Sequence, residues 1–96
     1  MRNFLFDSGK KRDTEEDDTI LLVQTLMKAE SREKMENLLL GLMTPKEIEE
    51  FAERIRIVQL LKKGMGQHTI AAKLGVGVAT VSRGAGEIKQ GRFIII

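Results

Sequence analysis

A short run at residues 78–83, Val-Ala-Thr-Val-Ser-Arg, carries the side chains best suited to chemistry in this chain. Within a helix, we expect four of these residues to face outward: Ala79, Thr80, Ser82 and Arg83. Short polar side chains followed by a guanidinium complement the methyl groups and hydrogen-bonding edges of a DNA major groove. The run therefore predicts a helix that reads nucleic acid.

The residues around this run predict a helix-turn-helix, with helices near 67–74 and 78–90. Ala71 is small where the two helices would touch, and Gly75 stands where the turn needs a left-handed backbone. Four apolar residues supply a core behind the crossing: Ile70, Leu74, Val76 and Val81. The same pattern also fits an ordinary helical hairpin, because motif matches of this kind carry false positives.

Charge is distributed unevenly along the chain. Residues 1–53 carry eight Lys/Arg and thirteen Asp/Glu, a net charge of −5, whereas residues 54–96 carry eight Lys/Arg and one acid, a net charge of +7. A solvated charge run would give similar counts. Because the basic half coincides with the helix-turn-helix, however, we interpret it as the surface of a polyanion binder.

Composition excludes several other classes. The chain has no cysteine and a single histidine, His68, which rules out disulfides and thiol metal sites and leaves no paired-carboxylate site around a histidine. No apolar run approaches the length of a membrane span. We therefore predict a cytoplasmic, non-enzymatic protein with no catalytic or metal site and no membrane partner.

Hydrophobic periodicity predicts an all-α fold, a small multi-helix domain that carries its helix-turn-helix near the C-terminal end. We assign residues 1–14 to an N-terminal arm, 15–91 to the helical domain, with the helix-turn-helix at 67–90, and 92–96 to a C-terminal tail. The β-branched tail is compatible with a short strand paired with residues 3–6.

The helices before the motif are predicted at about 15–29, from Ser31 onward, and from Pro45 to about Lys63. Thr44-Pro-Lys-Glu47 predicts a capping box at the start of the third helix. The Leu-rich second helix is too apolar to face solvent, so we expect most of it to be buried, with a subunit interface as one possible cover. The third helix has an apolar stripe that we expect to be buried: Ile48, Phe51, Ala52, Ile55, Val58 and Leu61.

Three segments resemble the trp repressor family: Leu42-Met-Thr-Pro-Lys-Glu47, Arg54-Ile-Arg-Ile-Val58 and the run from Leu74 to Gly84. The resemblance extends over roughly residues 20–90. It implies a sequence-specific transcriptional repressor, an intertwined homodimer that presents two helix-turn-helix units to double-stranded DNA. It also implies L-tryptophan, or another small amino acid, as a corepressor beside each reading helix, and no other cofactor.

Six positions correspond to the effector site that the resemblance implies: Thr44, Arg54, Thr80, Arg83, Gly84 and Glu87. Arg83 corresponds to the arginine that clamps the ligand carboxylate, a task suited to a planar guanidinium. Arg54 corresponds to an arginine that stacks on the indole from the opposite subunit, and Gly84 to a glycine that lets the ring approach the backbone. Thr44 and Thr80 correspond to residues that line the pocket.

Each of these positions also has a plainer interpretation. Arg83 is equally suited to a phosphate contact, and Thr44 to its cap alone. Arg54 is also placed for an ion pair with Glu50. Glu87 replaces a small hydroxyl residue of the family, so it either pairs with the ligand's ammonium group or bonds Arg83 one helical turn away. The second arrangement predicts a regulator that needs no ligand.

Nine residues are predicted to contact DNA: Gln67, His68, Thr69, Lys73, Val78, Ala79, Ser82, Arg56 and Lys89. We expect Val78, Ala79 and Ser82 at base edges. We expect Gln67, His68 and Thr69 at phosphates, where backbone N–H groups assist. The other basic residues would release counterions. Two further functions stay open: an effector-free regulator, and a protein-interaction module that does not bind DNA.

Overall fold

The computed structural model describes residues 15–96, and within them the secondary structure is entirely helical. Five α-helices follow one another: α1 Glu15–Met27, α2 Arg32–Leu42, α3 Pro45–Lys62, α4 Gln67–Leu74 and α5 Val78–Lys89. The all-α class is therefore confirmed. The predicted arm at 1–14, and with it the proposed strand partner at 3–6, lies outside the described residues.

The described residues divide into two units, one ending at Leu42 and one running from Met43 to Ile96. In the first unit, no described side chain of α1 or α2 is buried. Its exposed large apolar residues are Ile20, Leu21, Leu22, Val23, Met27, Leu40 and Leu42. The expectation that α2 is mostly buried is thus wrong for a single chain, because a two-helix unit has no further layer of its own to cover its leucines.

In the second unit, α3 begins at the predicted capping box. The Thr44 hydroxyl accepts the Glu47 N–H at 3.1 Å, and the Glu47 carboxylate accepts the Thr44 N–H at 2.9 Å. Pro45 occupies the first helical position, where a missing N–H costs no hydrogen bond. The helix ends at Lys62, and Gly64 then takes a left-handed φ of 92°.

The core of this unit lies where the second half of α3 meets α4 and α5. Ile57, Ile70 and Val81 are completely or almost completely buried. Six partly buried residues pack around them: Leu60, Leu61, Met65, Ala71, Leu74 and Val76. The predicted stripe of α3 is wrong in part, because Phe51 and Ile55 remain 46% and 43% exposed. Only the C-terminal half of α3 contributes to this core.

The turn between α4 and α5 follows the predicted geometry. Gly75 has φ 71° and ψ 35°, a left-handed conformation that glycine adopts at little cost. The N–H groups of Gly75 and Val76 both bond the Ala71 carbonyl, at 2.9 and 3.0 Å. Ala71 itself packs against the core, so the helix-turn-helix geometry is confirmed.

The tail does not form the predicted strand. Gly91 and Phe93 both have positive φ, 89° and 60°, and these two left-handed residues turn the chain back on itself. Lys62 Nζ donates to the main-chain oxygen of Phe93 and, at 3.4 Å, to that of Ile96. Among residues 15–96, no helix is long and apolar enough to cross a bilayer.

Candidate functional site

Helix α5 presents one side to solvent and anchors itself by the other. Val81 is fully buried beneath it. Five residues of its first two turns are exposed: Val78, Ala79, Thr80, Ser82 and Arg83. The side of α5 predicted to read DNA is therefore open in the folded chain.

A hydrogen bond across the motif joins two predicted DNA contacts. Ser82 Oγ donates to Gln67 Oε1 at 2.5 Å, which ties the first residue of α4 to the middle of α5. The Ser82 hydroxyl proton is thereby committed, so its oxygen remains as an acceptor while the Gln67 amide N–H groups remain as donors. Sequence analysis did not predict this pairing, because the two residues are fifteen positions apart.

The other predicted DNA contacts are also at the surface. His68 and Thr69 are exposed in the first turn of α4, where Gly66 supplies no side-chain cap. The N–H groups of that turn are thus left without a side-chain acceptor, as an anion site at a helix start requires. Lys73 and Lys89 are exposed, whereas Arg56 lies 3.9 Å from Glu53 in a weak ion pair.

Between α3, α5 and the tail lies a cavity of about 370 Å³. Its lining residues are Arg54, Ile57, Val58, Thr80, Arg83, Gly84, Glu87 and Phe93. The volume is within the range of small-molecule sites. Two guanidinium-bearing residues and two aliphatic residues of α3 give this cavity both a cationic and an apolar part.

Five of the six predicted effector residues line this one cavity, and they do so within a single chain. The Arg54 that lines this cavity belongs to the same chain as Arg83. The expectation that the opposite subunit supplies an Arg54 stays a prediction. Thr44 is not among the lining residues. It precedes Arg54 by ten residues along α3, a distance of about 15 Å at the rise of an α-helix.

The charged groups of the cavity have partners that differ from those considered from the sequence. Arg54 lies with its guanidinium carbon 5.0 Å from the centre of the Phe51 ring, a cation–π contact rather than an ion pair with Glu50. Glu87 bonds Arg92 Nε at 3.3 Å instead of Arg83. Among the described residues, no carboxylate pairs with Arg83.

Gly84 has a packing reason to lack a side chain. A Cβ atom at this position would lie 3.2 Å from Ile57 Cγ2 and 3.6 Å from Leu61 Cδ1. Helix α5 therefore approaches α3 at a distance that only glycine allows without a shift. The same close approach forms the floor of the cavity.

Sequence reasoning did not assign three of the lining residues to the site: Ile57, Val58 and Phe93. Val58 was predicted only as part of the buried stripe of α3. Ile57 falls beside the stripe assigned to α3, and its helical spacing from Leu60 and Leu61 was the available signal. Phe93 reaches the cavity only through the two left-handed residues after α5. No periodic pattern reports such a reversal.

The sequence model of the family described as "Trp repressor protein" matches residues 18–92. The chain belongs to the Trp repressor family. Similar proteins are each described as "Trp operon repressor homolog". The one from Vibrio campbellii is 39% identical over 70 residues, which cover 72% of this chain and 70% of that protein.

Two further relatives show the same relationship. The Vibrio cholerae protein is 41% identical over 70 residues, covering 72% of this chain and 68% of its own length. The Xylella fastidiosa protein is 34% identical over 71 residues, covering 73% and 77%. The Trp repressor family comprises regulatory DNA-binding proteins rather than enzymes, so this chain is a repressor-type transcriptional regulator.

Proposed function

We propose that this protein binds operator DNA as a homodimer and that a small amino acid, with L-tryptophan as the first candidate, gates that binding. The observation that carries the proposal is the double role of α5. Its residues Ala79 and Ser82 face solvent, while Arg83, Gly84 and Glu87 of the same helix line the cavity.

DNA binding is supported by the surface around α5. Small side chains at Val78 and Ala79 suit the thymine methyl groups of a major groove. The exposed N-terminal turn of α4, with His68 and Thr69, suits a phosphate. In the basic half of the chain the one acid, Glu87, is already paired with Arg92, so it offers phosphates little repulsion.

Dimerisation is supported by apolar surface that a single chain leaves in water. Leu21, Met27 and Leu40 are each about two-thirds exposed or more. Burying such surface contributes about 25 cal/mol per Å². A second copy of this chain is the partner that the family relationship favours.

Effector gating follows from the position of the cavity against the reading helix. Arg83 supplies a guanidinium with no carboxylate partner among the described residues, which suits a ligand carboxylate. Arg54 supplies a planar cation for an aromatic ring. A ligand held there contacts α5 directly, so it shifts the helix towards whichever orientation it binds more tightly.

The alternative in which the regulator needs no effector requires the Glu87 carboxylate to pair with the Arg83 guanidinium. The observed pairing of Glu87 with Arg92 instead leaves Arg83 open, which favours the gated form. A protein-interaction module is disfavoured by membership of a family of DNA-binding regulators.

Binding of L-tryptophan and of DNA to the purified protein tests the proposal. The chain contains no Trp or Tyr, so any indole fluorescence in the sample comes from the ligand. We expect L-tryptophan to bind in calorimetry and to raise DNA affinity, and DNA affinity to fall as salt rises. Arg83→Gln should weaken L-tryptophan binding at least about tenfold, because it removes a charged hydrogen-bond donor. Arg32→Gln, an exposed arginine of α2, is the matched control and should bind normally.

Two results would contradict the proposal. If L-tryptophan at millimolar concentration neither binds nor stabilises the protein, the gating is wrong. If DNA affinity does not depend on salt, the DNA-reading role is wrong as well.

A further inference from the structure

Residues 92–96 return to the body of the molecule after α5 has ended. Phe93 lines the cavity, although it stands one residue beyond the 18–92 segment that matches the family. Its left-handed φ of 60° is unusual for a residue with a side chain. An unfavourable backbone conformation persists only where surrounding contacts hold it.

Two sets of polar contacts hold this segment. Lys62 Nζ, at the end of α3, donates to the main-chain oxygens of Phe93 and Ile96. Arg92 bonds Glu87 twice, since its side chain pairs with the carboxylate at 3.3 Å and its N–H donates to the Glu87 carbonyl at 3.0 Å. The first anchor holds the main chain of a lining residue, Phe93, and the second holds Arg92 to another lining residue, Glu87.

Hydrophobic burial accounts for little of this fold-back. Two of its three isoleucines, Ile94 and Ile95, are 83% and 94% exposed. Phe93 and Ile96 are partly buried. The segment is therefore held by its polar anchors and by Phe93, and Phe93 is the member that reaches the cavity.

We propose that residues 92–96 form a strap over one side of the effector cavity, in which the Phe93 ring is a specificity-determining wall. The ligand class assigned to this cavity is a carboxylate joined to a flat apolar body, and that assignment depends on the proposed function. Arg83 takes the carboxylate, and the flat body lies between Arg54 and the Phe93 ring. Lys62 and Arg92 are positioning residues, because they fix the strap without forming part of its apolar wall.

The strap is first tested without any ligand. The Phe93→Trp variant carries the protein's one indole, as does the control Ile95→Trp at an exposed position of the same segment. We expect F93W to show blue-shifted emission and weaker acrylamide quenching than I95W. Adding Lys62→Gln to F93W should shift the emission to the red and raise its quenching. Equal emission and quenching of F93W and I95W would overturn the strap.

The wall is then tested by calorimetric titration of L-tryptophan. Phe93→Ala should weaken binding about two- to tenfold through loss of an aromatic contact, whereas Ile95→Ala should bind as the parent does. Equal or tighter binding by F93A would show that the ring is no wall. If the parent protein itself fails to bind L-tryptophan, the proposed effector is wrong, and the fluorescence comparison still decides the strap.

Discussion

A comparison of two glycines of α5 tests the packing that forms the cavity floor. Gly84 and Gly86 lie two residues apart in the same helix, and neither has a positive φ. A Cβ atom at Gly84 would meet Ile57 Cγ2 at 3.2 Å, whereas one at Gly86 would meet nothing within 4 Å. Ile57 is almost fully buried and has little room to move away.

The two substitutions should differ in sign or clearly in size. Alanine is more favourable than glycine inside a helix by about 0.8–1 kcal/mol, a gain that both variants receive. Gly84→Ala must also push Ile57 aside, and overpacking of this kind costs about 1–3 kcal/mol. We therefore expect Gly86→Ala to stabilise the protein by about 0.5–1 kcal/mol, and Gly84→Ala to be about 1–3 kcal/mol less stable than Gly86→Ala.

Thermal and urea unfolding, followed by helical circular dichroism, measure this difference. One kcal/mol corresponds to roughly 4–8 °C in Tm for a domain of this size. Protein concentration must be matched, because association would also shift the Tm. If Gly84→Ala raises the Tm as much as Gly86→Ala does, α5 does not approach α3 as closely as described. The packing of Gly84 against Ile57, assigned here as the floor of the cavity, would then be wrong.

Three further pairs of substitutions test local features by the same unfolding measurements. Gly75→Ala should cost about 1–2 kcal/mol because φ is 71° there, and Gly75→Asn should cost less; equal losses would argue against the left-handed turn. Thr44→Ala should cost about 1 kcal/mol through loss of the cap, while Glu47→Gln, which preserves the capping box, should change little. Ile70→Ala should cost about 2–5 kcal/mol, against less than about 0.5 kcal/mol for the exposed Ile95→Ala, and a small loss at Ile70 would refute the assigned core.

The helix boundaries were predictable because local chemistry sets them. The Thr44–Glu47 pair begins α3, and Gly75 breaks the chain between α4 and α5. Each of these signals acts over three or four residues. The described helices therefore begin and end within a few residues of the predicted positions.

Burial was less predictable, because it depends on what covers each face. Phe51 and Ile55 follow the apolar period of α3, yet the core of the single chain begins only at Ile57. Periodicity shows that a face is apolar without showing whether the same chain or another one covers it.

The cavity was predictable from family resemblance only as a set of residues. The resemblance brought Arg54, Arg83 and Glu87 together, and the structure places them around one cavity. The resemblance did not predict the partner of Glu87, because Arg92 reaches Glu87 through the chain reversal at Gly91 and Phe93. Contacts made by a non-repeating turn leave no periodic trace in a sequence.

The proposed function requires that α5 reads an operator as part of a twofold dimer. Recovery of genomic DNA fragments bound by the purified protein, with and without L-tryptophan, tests it most directly. We expect enrichment of a palindrome with half-sites about one helical turn apart, and greater enrichment with the amino acid present. Recovery of fragments with no shared sequence, or of none above background in either condition, would contradict it.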